Sequence, residues 1–382
     1  VNPGVFVTNL KPNLMSELSA KVSKRLFSLD VFRGLTMFLL IAEAAGFHHN
    51  FGEWARGSGF FTALADQLHH HPWNGLRFWD LIQPFFMFIV GVAMPFSLRK
   101  RLATGTRQAA TRHILQRCFL LFAFGVLLHC VYSHALVWEL WNVLVQLAFT
   151  ILIAYAIMNL PHKTQIGISV GLLLLTEILY RVYNPQDPFN QGSSFGSFMD
   201  MVLMGKINEG GWVTVNFIPT AAHTIWGVIC GQILLSDRKE QDKVKPFLIW
   251  GGIILVLGYA MDWTGVTPIV KRIATTSFTL ASGGWTILAL ALFYWWIDIR
   301  DNHKKWLRIF SVVGTNSIFI YLFAETVGIQ WFRDFGKIFT EGLLSPLGMP
   351  EDAIMVINAL FVLWMFWYLT YFLDQKKVYF KV

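Results

Sequence analysis

The chain has 382 residues, of which 55% are hydrophobic and 16% aromatic while only 14% are charged; an average soluble protein has about 25% charged residues. That balance excludes a water-soluble globular domain and predicts an all-α, polytopic integral membrane helix bundle. The net charge of +8 does not indicate nucleic acid, because the basic residues fall in short blocks between apolar stretches rather than along one face. Cys118, Cys130 and Cys230 lie inside apolar runs, so neither a disulfide framework nor a zinc site is expected.

Lys21, Lys24 and Arg25 precede an apolar run ending in small residues at 42–46, which has the outline of a secretory signal. Asp30 and Arg33 break that pattern and hydrophobic stretches recur to the C-terminus, so the run reads as a first membrane span. A bilayer core about 30 Å thick needs roughly 20 apolar residues per helix. Spans are predicted to begin near Leu29, Phe78, His113, Leu136, Gln165, Asn216, Pro246, Ala274, Trp306 and Ala353, about ten in all. The fourth is the least apolar, since Glu139, Asn142 and Gln146 lie within it. Residues 1–24 read as a polar tail, 25–375 as one membrane domain and 376–382 as a second tail.

Orientation follows from Lys and Arg in the loops, which concentrate on the cytoplasmic side. One side receives Lys21, Lys24 and Arg25, then Arg99-Lys100-Arg101 with Arg107 and Arg112, then Lys163, Arg238-Lys239, Lys304-Lys305 and Lys376-Lys377. That side is expected to be cytoplasmic and to hold both termini. The opposite loops carry scattered cations, among them Lys271 and Arg272. The stretch from Asn184 to Gly211, rich in Pro, Gly, Ser and Asn, is expected to be an irregular outer cap.

Ionisable groups at membrane depth are costly and are functional candidates by default. Asp30 and Arg33, three residues apart, share one helix face and can neutralise each other. The densest constellation is His69-His70-His71-Pro72-Trp73-Asn74-Gly75, followed by Asp80. Histidine titrates near neutrality, so such a cluster can move protons during group transfer or carry an acyl group as a nucleophile; loop histidines with no role are the competing reading. Adjacent histidines rarely ligate one ion together, so no metal is expected. Glu43, Glu139, Glu177, His223, Asn316 and Glu325 are further polar points inside spans, for most of which helix-to-helix hydrogen bonding is the simpler explanation. The block Arg99-Lys100-Arg101, continued by Arg107, Arg112 and Arg117, follows from topology, yet guanidiniums at a cavity mouth can also hold phosphates. A Walker or Rossmann glycine loop is lacking.

The chain resembles the heparan-α-glucosaminide N-acetyltransferase family, the lysosomal membrane acetyltransferase and its bacterial relatives. The likeness is carried by Arg25-Leu26-Phe27-Ser28-Leu29-Asp30-Val31-Phe32-Arg33-Gly34 and by His70-His71-Pro72-Trp73-Asn74-Gly75 running into Asp80-Leu81-Ile82-Gln83-Pro84-Phe85. Further on come Ile218-Pro219-Thr220, Thr276-Ser277-Phe278-Thr279-Leu280 and Gly314-Thr315-Asn316-Ser317-Ile318. The resemblance implies a transmembrane acyltransferase bundle in which cytosolic acetyl-CoA donates to an amino sugar or glycan outside. It implies His70 as the catalytic histidine, with Asp80 orienting it. Asp30, Arg33, Arg99, Arg101 and Asn316 are then expected on the donor side, and His71, Trp73, Asn74 and Glu43 on the acceptor side. Two departures bear on the acceptor: Glu43-Ala44 stands where family members commonly carry Asn, and the stretch 211–216 lacks the Asp-Pro-Glu-Gly of the lysosomal branch. Heparan sulfate is therefore not implied as substrate. A bacterial inner membrane is the expected location, with lipid and a small sugar as partners, no nucleic acid, and a homodimer among the allowed assemblies. The rival expectation is an amino-sugar transporter without acyl chemistry, although no pair of matching broken helices in two halves supports it.

Overall fold

In lipid the backbone has no water to bond with, so each apolar run must satisfy its own N–H and C=O groups by coiling into a helix. The computed structural model describes residues 26–302 and 304–380; the predicted tail 1–24 and the basic residues Lys21, Lys24 and Arg25 lie outside them. Among the described residues the elements are helices and turns, with one isolated β-bridge between Asn74 and Val270.

In chain order, α1 (Phe27–Ala44) is followed by two short helices, α2 (Phe47–Trp54) and α3 (Gly59–Gln67). A tight turn at Phe78–Leu81 feeds α4 (Ile82–Thr104), and then come α5 (Arg107–Tyr132), α6 (Val143–Ile157) and α7 (His162–Tyr183). After α8 (Phe195–Met204) follow α9 (Phe217–Leu235), α10 (Glu240–Trp263) and α11 (Thr276–Phe293). The last group is α12 (Arg308–Thr315), α13 (Ser317–Phe323), α14 (Arg333–Leu344) and α15 (Glu351–Gln375). A wider π-type coil at Ala324–Phe332 joins α13 to α14.

The protein is thus a polytopic membrane bundle. Among the described residues seven helices are long and apolar enough to cross a bilayer, and an eighth span results if Lys305–Thr315 and Ser317–Leu347, bent by 73° at Asn316, are taken as one. The remaining two predicted spans are the unusual ones: α1 carries Asp30, Arg33 and Glu43, and α6 has 15 residues. The fourth span was expected from Leu136, but the helix begins at Val143; Asn142 ends the preceding loop and accepts the Leu144 N–H at 2.8 Å. The expected irregular cap at 184–211 contains α8, whose Asp200 accepts from Trp141 Nε1 at 2.8 Å and Thr214 N–H at 2.9 Å.

The bundle centre is set by α4 against α9. A Cβ on Gly91 would lie 2.2 Å from the Thr224 carbonyl oxygen, and one on Gly227 2.2 Å from that of Phe88. Only glycine allows this backbone-to-backbone approach, which replaces the hydrophobic drive absent in lipid with close van der Waals packing. Around it, Phe88, Val92, Ile151, Ala222 and Val228 are fully buried.

One end of the bundle gathers basic segments. The Asp298 carboxylate accepts from the Phe27 and Ser28 N–H groups at the start of α1 (3.2 and 3.3 Å), Arg308 lies 3.6 Å from Asp374, and Arg101 Nη2 is 2.6 Å from His113 Nε2. The other end gathers the loops at 68–77, 205–213 and 264–275, which hold the histidine cluster.

Candidate functional site

The histidine-bearing loop is fixed by its own Trp-Asn-Gly run. Asn74 bridges Val270, and the Gly75 N–H donates to the Ile269 carbonyl at 2.8 Å. Gly75 has φ +148°, a left-handed conformation suited to glycine, and a Cβ there would meet the His71 imidazole at 2.6 Å. This stitch carries residues 264–275 over His70, although Lys271 stands 201 residues away in sequence.

His70 Nδ1 lies 2.9 Å from Asp80 Oδ1. The other carboxylate oxygen, Oδ2, accepts the backbone N–H groups of His71 (3.1 Å) and Arg77 (2.9 Å). Asp80 is 1% exposed and faces the ring, whereas the His70 side chain retains 33% exposure. Lys271 Nζ sits 3.0 Å from the same Nδ1 and 3.7 Å from Asp80 Oδ1. Nδ1 can give its hydrogen to the Asp80 carboxylate or accept one from the Lys271 ammonium, and in the first tautomer Nε2 is the nitrogen open to chemistry. Burial, reinforced by the Lys271 ammonium, pushes the His70 pKa down to about 4 against the opposing pull of Asp80, so the ring is neutral at pH 7. Burial likewise pushes Lys271 down to about 8, opposed by Asp80 and Glu43. Trp212 roofs the cluster, its ring 5.6 Å from His70 and 5.4 Å from the Lys271 ammonium.

His70 opens into a central cavity of about 660 Å³. Its histidine end is formed by His70, Lys271, Trp212 and Asn208; its middle by Glu43, Gln83, Gln146, Tyr132 and Tyr321; and its basic end by Arg33, Arg117, Thr315, Ser317 and Phe380. A line of amides stiffens the wall: Gln83 donates to Gln146, Gln146 Nε2 donates to Asn216 Oδ1 at 2.5 Å, and Asn216 Nδ2 reaches the Arg272 carbonyl at 3.4 Å. Tyr132 donates to Glu325 at 2.7 Å. At the basic end, Arg117 Nε is buried without a hydrogen-bond partner among the described residues.

Of the residues singled out in the sequence, His70, Arg33, Glu43 and Arg117 of the basic block line this cavity, and Asp80 supports His70 from behind. The others lie elsewhere. His71 packs over Gly75; Trp73 donates to the Phe189 carbonyl at 3.2 Å and faces an outer pocket; Asn74 is held through its backbone. Arg99 is on the exposed surface, Arg101 is engaged with His113, and Asp30 is outside the cavity lining. Asn316 lies against the C-terminal segment, donating to the Val378 carbonyl at 3.0 Å and accepting the Phe380 N–H at 2.9 Å. His223 bonds to Thr279 and Ser282 across α9 and α11, a packing role. Lys271 and Trp212 were not singled out as site residues, because each lies far from the histidines in sequence and no local spacing links them.

Among known proteins, a family profile described as "Heparan-alpha-glucosaminide N-acetyltransferase, catalytic" matches residues 25–259. The human protein named heparan-alpha-glucosaminide N-acetyltransferase is 23% identical over 434 aligned positions, which cover 94% of this chain and 60% of that protein. The mouse protein of the same name is 28% identical over 120 positions, 31% of this chain and 16% of its own length. The chain therefore spans about three fifths of the human relative it matches.

Proposed function

We propose, from the premise that this chain belongs to the heparan-α-glucosaminide N-acetyltransferase family of transmembrane acetyltransferases, that it transfers an acetyl group from acetyl-CoA to the amine of an amino sugar. The observation that carries this reading is His70, neutral, held at Nδ1 by buried Asp80 and open to a central cavity.

In the reaction, the acceptor nitrogen attacks the thioester carbonyl. His70 Nε2 removes the proton from that nitrogen as the C–N bond forms; the C–S bond then breaks, and the imidazolium returns the proton to the departing thiolate. Asp80 holds the tautomer and steadies the imidazolium, as carboxylates do beside catalytic histidines. Lys271 balances the carboxylate while keeping the resting ring unprotonated. Arg33 and Arg117 suit the donor's phosphates through charge-assisted bonds. The positive-inside pattern supports reading the basic end as cytosolic and the histidine end as outer; in the proposed setting, a bacterial inner membrane, donor and acceptor enter one cavity from opposite faces. Glu43, a carboxylate on the cavity wall, favours a cationic acceptor.

The bend at Asn316 is the feature that favours a second reading, an amino-sugar transporter using the same cavity, because broken helices commonly form such sites. Incubating purified protein with radiolabelled acetyl-CoA and a panel of amino sugars separates the two. Transfer by wild type that vanishes in His70→Ala is the expected result. Accumulation of unmodified labelled sugar in proteoliposomes, with no acetyl transfer, would establish the transporter instead.

A further inference from the structure

We propose that residues 378–380 form the base-recognition wall of the donor site, with the Phe380 ring stacking on the adenine of the acetyl donor and Asn316 acting as its positioning residue. The inference rests on the acetyl-CoA reading above and adds a subsite to it.

After α15 the chain turns back on itself: Lys377 has φ +56°, and the Val378 N–H donates to the Leu373 carbonyl at 2.9 Å. Asn316 then grips the returning segment from both sides, its amide giving one hydrogen bond to Val378 and its oxygen taking one from Phe380. A two-point clamp of this kind fixes a backbone in register. It also accounts for the break between α12 and α13, which turns the Asn316 side chain toward the segment instead of along a helix.

The clamped Phe380 stacks on Phe319 with ring centroids 4.6 Å apart and an interplanar angle of 13°. It remains 48% exposed and lines the cavity at the end that holds Arg33 and Arg117. An aromatic face backed by a second ring, beside two guanidiniums and the Thr315 and Ser317 hydroxyls, matches a purine carrying phosphates. Aromatic rings bind bases through stacking, and guanidiniums bind phosphates.

The test compares two donors, acetyl-CoA and acetyl-4′-phosphopantetheine, which share the thioester arm and differ in the adenosine bisphosphate. Phe380→Ala should raise KM for acetyl-CoA about tenfold, as expected for loss of one base stack, and leave KM for acetyl-phosphopantetheine within about twofold. Phe380→Trp should restore acetyl-CoA, and Asn316→Ala should reproduce the donor-selective loss. Equal changes for both donors, no change, or a fall in KM that marks the segment as an obstruction would each overturn the assignment. Calorimetric binding of adenosine 3′,5′-bisphosphate to full-length protein separates this failure from failure of the transfer reaction itself. Binding that weakens about tenfold in Phe380→Ala upholds the subsite even if no acceptor is acetylated. No binding to wild type, or binding the variant leaves unchanged, removes it.

Discussion

At His70 the chemistry depends on which charges face the ring. Asp80 lies on one side of Nδ1 and Lys271 on the other, so proton affinity is set by a balance rather than by one partner. Removing the imidazole in His70→Ala should lower kcat by about 10²–10⁴, the usual contribution of general acid–base catalysis, with the protein still folded by its melting profile. Asp80→Asn should cost a similar factor, because an amide no longer selects the Nδ1–H tautomer. The pH dependence is more specific. His70, with a pKa near 4, stays unprotonated across the neutral range, so an acid limb near 6.5 in kcat would contradict the site as described. Lys271, near 8, is charged below that pH and neutral above it. Raising the pH through 8 leaves Asp80 uncompensated. The ratio of Lys271→Arg to wild-type rates cancels the titration of the acceptor amine and should rise above pH 8, since arginine keeps its charge.

At the level of elements, two glycines separate holding the bundle from holding the site. Gly91→Val would drive a side chain into the Thr224 carbonyl across the α4–α9 contact. Overpacking of this kind costs about 1–3 kcal/mol, to be read as a lower melting temperature in detergent with proportionate loss of folded protein. Gly75→Ala acts on the stitch between the histidine loop and residues 264–275. The left-handed backbone there makes alanine cost about 1 kcal/mol, but kcat should fall about 100-fold, far more than the folded fraction, the scale of loss when reacting groups are misplaced by about an ångström. The apolar spans were legible in the sequence because bilayer thickness dictates helix length, and the histidine cluster because its members are adjacent. Choosing His70 among three neighbours needed the family resemblance; geometrically, His69 turns back to the Ala65 carbonyl and His71 covers Gly75. The break at Asn316 was not legible, since Gly-Thr-Asn-Ser within an apolar run reads equally well as close packing. Lys271 was hidden for a different reason: its loop reads as a scattered outer cation until the bridge to Asn74 is known.

For the whole molecule, the segments richest in Lys and Arg meet at one end and the histidine loops at the other, the arrangement expected if charge sets orientation. In a background lacking Cys118, Cys130 and Cys230, a cysteine at Ala103 should react with an impermeant thiol reagent only after the membrane is opened. One at Ser193 should react in intact cells; the reverse pattern would invert the proposed direction of transfer. The bridge that brings Lys271 to His70 also bears on biosynthesis. Translation at about 5–20 residues per second places roughly 10–40 s between the emergence of the two residues, given their separation of 201 positions. A nascent chain inserted as far as residue 259, the limit of the family match, has its histidine and carboxylate but neither the ammonium nor the loop that aligns them. Under the proposed function the transfer site is therefore incomplete until the loop after α10 has been made, and a chain truncated before it carries the histidine motif without the groups that align it.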